Sequence, residues 1–195
     1  NLKYIIKKKN LSISVGDEGG FAPMISKNEE ALDLIVTAIR KSGFKNGKDV
    51  SICLDIAANE LIKKKKYSIH SKKFESVDQS IKKYSAIVKK FKIKSLEDPF
   101  SENDWFSWNK LMKTIKKIQI VGDDLYVTNI TRLKKGFLNN SSNAILIKPN
   151  QIGTVSETLE VIRFAHLSGF KTIISHRSGD SEDTFIADLA VGTGS

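Results

Sequence analysis

Five short apolar runs rich in β-formers recur along the chain, and each ends on a reactive side chain. They are "VSICLDIA" (50–57), "IKSLEDPF" (93–100), "IQIVGDD" (118–124), "AILIKPN" (144–150) and "KTIISHRSG" (171–179). Continuous rather than alternating apolarity is the pattern of strands buried on both faces of a parallel sheet. The side chains at their ends are Asp55, Glu97, Asp123, Lys148 and His176, and the last four follow one another at intervals of 26, 25 and 28 residues. Such intervals match one strand-helix unit of a (β/α)8 barrel, where about 250 residues make eight units and the strand C-termini build the site. If charges only marked the exit of strands into polar loops, their type and position would be ragged. Three carboxylates, then a lysine, then His-Arg-Ser are not ragged.

Amphipathic segments fill the intervals: 28–42, 77–91, 104–117, 129–138 and 154–168. The first is expected to take Asn28 as its N-cap and to stop before Gly43, and the last to be closed by Gly169. Strand and helix alternate, so the class is α/β. No Pro/Ser linker or low-complexity spacer divides the 195 residues, which are read as a single domain.

Composition narrows the functional classes. With 40% hydrophobic and 28% charged residues the chain is ordinary for a globular protein, and no run reaches the roughly 18 apolar residues of a membrane span. The N-terminal "NLKYIIKKKN" lacks the order of a secretory signal, so a cytosolic location is expected. The net charge of +10 is nearly all dispersed lysine without interleaved aromatics or an arginine cluster, which argues against nucleic acid as a partner. Cys53, the single cysteine, sits among apolar neighbours and is expected to be a buried, unreactive thiol. His70 and His166 have no motif around them and are read as surface or helix residues.

Carboxylates converging from neighbouring strand ends suit a hard divalent cation, and Mg2+ prefers a few carboxylates with water and substrate oxygens. Asp55, Glu97 and Asp123 are the expected ligands. Asp124 adjoins Asp123, so alternation should send only one of the two to the metal. Neither HxxxH nor CxxC occurs, against zinc. Lys148 follows the apolar "AILI" and is expected beside cations, an environment that would disfavour its ammonium form and make it a base; a lysine paired with a carboxylate is the structural alternative. Arg177 and Ser178 offer an anion clamp. Together these point to proton abstraction next to a carboxylate, with a metal offsetting the enolate charge.

One stretch remains: "SVGDEGGFAP" (14–23) sets Asp17 and Glu18 among glycines, which by turn chemistry alone is a tight turn with solvated acids. Taken with "SLEDPF" and its following "NDW", "QIVGDDLYVTN", "LIKPNQIGT" and "SHRSGDSEDTFIADLAVG", this stretch resembles the signatures of the enolase family, in the same order across residues 15–192. The resemblance implies an Mg2+-dependent carbon-oxygen lyase that interconverts 2-phosphoglycerate and phosphoenolpyruvate in glycolysis and gluconeogenesis. It implies that Glu18 is the acid assisting departure of the C3 hydroxyl and that Lys148 is the base at C2. It further implies that Asp55, Glu97 and Asp123 hold the metal, and that His176, Arg177 and Ser178 line the substrate pocket with Lys148. A homodimer or larger assembly is expected of the complete enzyme.

The family also carries an N-terminal α+β domain and a last barrel strand that these 195 residues do not contain. The expected fold is therefore an incomplete (β/α)8 barrel of the enolase type, inactive or nearly so alone because its edges are open and its lid incomplete. Asn59 stands where the motif has a serine, and 62–74 match poorly. The alternative is a non-catalytic enolase-like protein that presents its lysines to an acidic partner. That role would not require Glu18, Lys148 and three metal ligands to persist together.

Overall fold

A computed structural model describes residues 1–69 and 73–195, so the expectation for His70 lies outside the described residues. The five runs form the strands β1 (Ile52–Asp55), β4 (Ile93–Glu97), β5 (Gln119–Gly122), β6 (Ala144–Ile147) and β7 (Lys171–Ile174). A two-stranded hairpin, β2 (Ile62–Lys63) and β3 (Lys66–Tyr67), lies between the first two. The five strands make one sheet in the order β1-β4-β5-β6-β7, every pair parallel. No strand order reverses, so all crossovers of the usual right-handed sense place their helices on one side. That is the arrangement of a curling barrel sheet rather than of a doubly wound one.

The helices obey this. The segments α2 (Asn28–Lys41), α3 (Val77–Phe91), α4 (Trp105–Thr114), α5 (Ile130–Leu138) and α7 (Val155–Leu167) fall where the amphipathic pattern places them. Their apolar sides, with Tyr84, Trp108, Leu111, Leu133 and Val161, share one core with Ile52, Leu96, Ile120, Ile145 and Ile147 of the sheet. The opposite face is different in kind. Register aligns Asp55 with Glu97, Glu97 with Val121 and Val121 with Ala144. This face has a small apolar centre of Val121, Ala144 and Leu146, with Ile173 against it.

Cys53 belongs to that second face, in register with Ser95, and it is exposed. The expectation of a buried thiol is thus corrected. Its apolar neighbours Ile52 and Leu54 point to the helices, while β1 is an edge strand among the described residues. A cavity of about 610 Å3 opens along that edge between α2 and α3, lined by Leu32, Ile35, Leu54, Tyr84 and Ile87.

Capping differs from expectation at one helix. Lys27 is the N-cap of α2, and Asn28 donates from Nδ2 to the Ile69 carbonyl at 2.7 Å, tying the helix start to the segment after the hairpin. Elsewhere caps and loops coincide: Asp104, Asn129 and Thr154 cap α4, α5 and α7 with their side chains, each where the loop from β4, β5 or β6 ends. Gly169 lies just past the C-cap of α7 with φ 76°, a conformation that favours glycine. Within α5, Gly136 is required for space, since a Cβ there would meet the Tyr126 hydroxyl at 2.3 Å.

Among the described residues three α-helices are additional to the sequence pattern, α1 (Leu2–Lys8), the single turn α6 (Pro149–Ile152) and α8 (Phe185–Thr193), as is a 3-10 turn at Ala58–Leu61. Ile5 and Ile6 of α1 pack on Leu34 and Ala38 of α2 in a satellite core with Phe21. Among the described residues no helix is long and apolar enough to cross a membrane.

Tyr67 secures the hairpin over the strand ends. Its buried hydroxyl donates to Asp104 Oδ2 at 2.8 Å and accepts the Ser101 N–H at 3.1 Å, and its ring stands edge-on to Phe100 at 5.1 Å. Tyr67→Phe is expected to keep the ring contact and leave both polar partners short of a bond. The expected loss is about 1–3 kcal/mol, seen as a lower urea midpoint of the full-length protein, with no change in midpoint as the contrary result.

Candidate functional site

Every residue that ends a strand of the sheet is delivered to one end, and alternation turns the chemistry toward the face without helices. Asp55 closes β1 and accepts the Ala57 N–H at 3.0 Å. Glu97 lies beside it in register. Asp123 follows β5 directly and is buried; Lys148 follows β6 and donates from Nζ to Asp123 Oδ2 at 2.5 Å. The ends of adjacent strands make this pairing, which sets the Lys148 ammonium against a carboxylate that the sequence names as a metal ligand.

The electrostatics follow from crowding like charges into a half-buried site. Burial raises the Asp55 carboxyl, and Asp123 and Asp124 add to the rise while the Ala57 amide and Lys148 oppose it. Glu97 is pushed up to about 7, by burial first and then by Asp55 and Asp123, against the pull of Lys148. Both carboxyls thus feel Asp123 and Lys148. Four residues sought from the sequence, Asp55, Glu97, Asp123 and Lys148, are electrostatic neighbours here.

Among the described residues, the acidic set whose oxygens converge is nonetheless another one. Asp98, Asp123 and Asp124 each offer a carboxylate oxygen within 4.8 Å of the others. Asp98 is poorly placed as a ligand, because its two oxygens accept the N–H groups of Asp123 at 2.9 Å and Asp124 at 2.8 Å. Burial pushes its carboxyl up to about 8 despite those two amides. Its work is on the backbone, where it fixes the end of β5. Asp124 turns elsewhere, accepting a hydrogen bond from Asn59 Nδ2 at 2.8 Å. The chemistry of Asp55, Glu97 and Asp123, three carboxyl groups close enough to interact electrostatically, fits a hard divalent cation.

Glu18 stands on a small hairpin. A bridge joins Val15 to Phe21, Gly16 N–H donates to the Gly20 carbonyl at 2.9 Å, and Gly19 takes φ 81°. Glu18 is exposed, and its Oε2 is 4.0 Å from His176 Nε2. The structure thereby brings Glu18 to the loop after β7, a juxtaposition that spacing along the chain does not reveal. Arg177 and Ser178 lie exposed on that loop, and the Arg177 guanidinium has no ion-pair partner among the described residues. Asp180 ties the loop to α6, accepting from Asn150 Nδ2 and the Arg177 N–H, both at 3.3 Å. His166 faces away from this group, on α7, with Nε2 2.8 Å from Thr172 Oγ1.

Asn59, the departure from the motif, joins three loops. Besides Asp124, it accepts the Glu102 N–H at 3.0 Å and donates to Glu102 Oε2 at 3.3 Å. Arg132 braces the same loops, donating to the Leu125 carbonyl and the Glu102 carbonyl, both at 2.6 Å, under the ring of Trp105. Asp98, Asn59 and Arg132 carry no signal in periodicity. For Asp98 the adjacent acid in "EDPF" was a usable hint, since two neighbouring carboxylates cannot face the same way on a strand.

A family model described as "Enolase, C-terminal TIM barrel domain" matches residues 1–195. A relative, the enolase of Pelagibacter ubique (strain HTCC1062), is 80% identical over 195 residues, all of this chain and 47% of the relative. The chain thus spans about half the length of the curated relative it matches.

The raised carboxyls set a pH dependence. Free carboxyls of these types titrate near 4.5 and 3.8, whereas those of Glu97 and Asp98 in the fold do so at about 7 and about 8. Between those limits the folded state holds more protons than the unfolded one, so stability falls as pH rises through the window and levels off above it. In the full-length protein under chelation, Tm is expected to fall from about pH 5 to about pH 8.5, and added Mg2+ to raise it most at the upper end. A metal-free Tm that climbed across this range would contradict the assignment.

Proposed function

This chain belongs to the enolase family, and from that premise we propose that it supplies the catalytic barrel portion of an Mg2+-dependent enzyme dehydrating 2-phosphoglycerate reversibly to phosphoenolpyruvate. The observation that carries the reading is the gathering of Asp55, Glu97, Asp123 and Lys148 at one end of one parallel sheet, as mutual electrostatic neighbours. Asp55, Glu97 and Asp123 would hold Mg2+, which when bound supplies positive charge against the anion that develops on the substrate.

The chain's own groups divide the remaining work. Lys148 Nζ takes the C2 proton, from a position half-buried at the end of β6. Glu18 protonates the departing C3 hydroxyl; its exposure on a short hairpin suits a group that must approach the substrate from outside. His176, Arg177 and Ser178 bind the substrate, with Arg177 and Ser178 on the phosphate, where an exposed guanidinium can make a bidentate contact. Base and acid have different neighbours: Lys148 is held by Asp123, and Glu18 stands beside His176. Elimination across C2–C3 needs the base and the acid to be separate groups at different carbons.

The two groups can be distinguished in the full-length protein. Lys148→Ala is expected to abolish exchange of the C2 proton with solvent, whereas Glu18→Gln blocks dehydration and leaves much of that exchange intact. A Lys148→Ala protein that exchanged the proton at a near wild-type rate would remove the role given to this lysine.

A further inference from the structure

Directly after β5 the chain turns back at Asp123, whose carbonyl accepts the N–H groups of Tyr126 at 3.0 Å and Val127 at 2.8 Å. Two consecutive β-branched residues then adopt left-handed backbone, Val127 at φ 42° and Thr128 at φ 54°. For such side chains this conformation is a strained outlier, and it persists only where surrounding structure enforces it. Its effect is to bring the Thr128 side chain, fully buried, back to the end of β6.

There the Thr128 hydroxyl makes two bonds. It accepts the backbone N–H of Lys148 at 2.9 Å, and it donates to Gln151 Oε1 at 2.9 Å. Since a hydroxyl has one proton, the donation to Gln151 leaves its lone pairs for Lys148. Fixing Oε1 of Gln151 also fixes its Nε2, which points at Asp123 Oδ1 from 3.5 Å. Asp123 Oδ2 in turn accepts from Lys148 Nζ. The links close on themselves: Lys148 backbone, Thr128, Gln151, Asp123 and Lys148 side chain.

We propose that Thr128 and Gln151 are positioning residues, which set the direction of the Lys148 side chain and the rotation of the Asp123 carboxylate through this closed ring. The proposal rests on the reading of Lys148 as the base. At the end of β6 the ladder to β5 has run out, because β5 has turned away, and Thr128 substitutes a side-chain acceptor for the missing rung. That acceptor fixes the peptide from which Lys148 projects. Gln151, one turn on in α6, couples the same peptide to the carboxylate that Lys148 meets. Neither residue need touch the substrate.

The test compares Thr128→Val, Thr128→Ser and Gln151→Met with wild type in the full-length protein. Valine keeps the shape and removes both hydrogen bonds; serine keeps the hydroxyl. Thr128→Val is expected to slow C2-proton exchange by roughly ten- to a hundredfold with KM changed little, as for a misdirected reacting group. Thr128→Ser should restore the rate to within about twofold, and Gln151→Met should lose part of it. A second readout needs no turnover: the Lys148 amide proton should lose protection from hydrogen exchange in the valine variant and regain it with serine. Wild-type exchange rates in the valine variant, or a rise in KM matching the fall in kcat, would overturn the positioning role and leave the base assignment standing. A wild-type protein without C2-proton exchange would overturn the base assignment. The ring would then be judged by amide protection alone, with unchanged protection of Lys148 in Thr128→Val refuting it.

Discussion

One buried carboxylate accounts for much of the order at this end of the sheet. Asp98 sits in left-handed backbone at φ 40°, and from there its two oxygens take consecutive amides of the neighbouring strand's exit. Two bonds from successive backbone amides fix orientation as well as position. Because Asp98 holds the peptides of Asp123 and Asp124, the side chains of that pair diverge, one toward Lys148 and one toward Asn59. The geometry of the carboxylate group is thus inherited from a residue whose own oxygens are taken up by backbone amides.

The cost of the arrangement is visible in the same place. Burial and mutual repulsion hold the carboxyls of Asp55, Glu97 and Asp98 up, and left-handed non-glycine residues cluster nearby at Ala57, Asp98, Val127 and Thr128. Strain of this kind is of order 1–3 kcal/mol per residue. It is offset by the core on the other side of the sheet, where helices bury Trp108, Tyr84 and Leu111 completely or nearly so. One face of the sheet contributes stability and the other carries the destabilised groups.

How much of this was legible in the sequence depends on what kind of signal each element leaves. The five strands and five main helices announce themselves by apolar period, and the residues at strand ends by type and spacing. The hairpin at 62–67 leaves no such mark, because its turn is made by Lys64 and Lys65 with φ of 49° and 60° where Asn-Gly would be the recognisable choice. The single turn of α6 is too short to show a period. Cys53 misled because a run of apolar neighbours does not say which strand is an edge. Thr128, Gln151 and Asn59 are polar residues whose value lies in contacts 20 to 65 positions away, and composition cannot carry such pairings.

The sequential strand order has a consequence for how the molecule can come into being. Among the described residues each strand of the five-stranded sheet pairs with its predecessor or successor in that sheet. Assembly can proceed in the direction of synthesis, with loop-closure entropy met in small instalments. Asp55 and Glu97 come together first, Asp123 joins when β5 docks, and Lys148 arrives with β6. Assembly in that order gathers the acids of β1, β4 and β5 before it adds Lys148, the cation that pairs with Asp123.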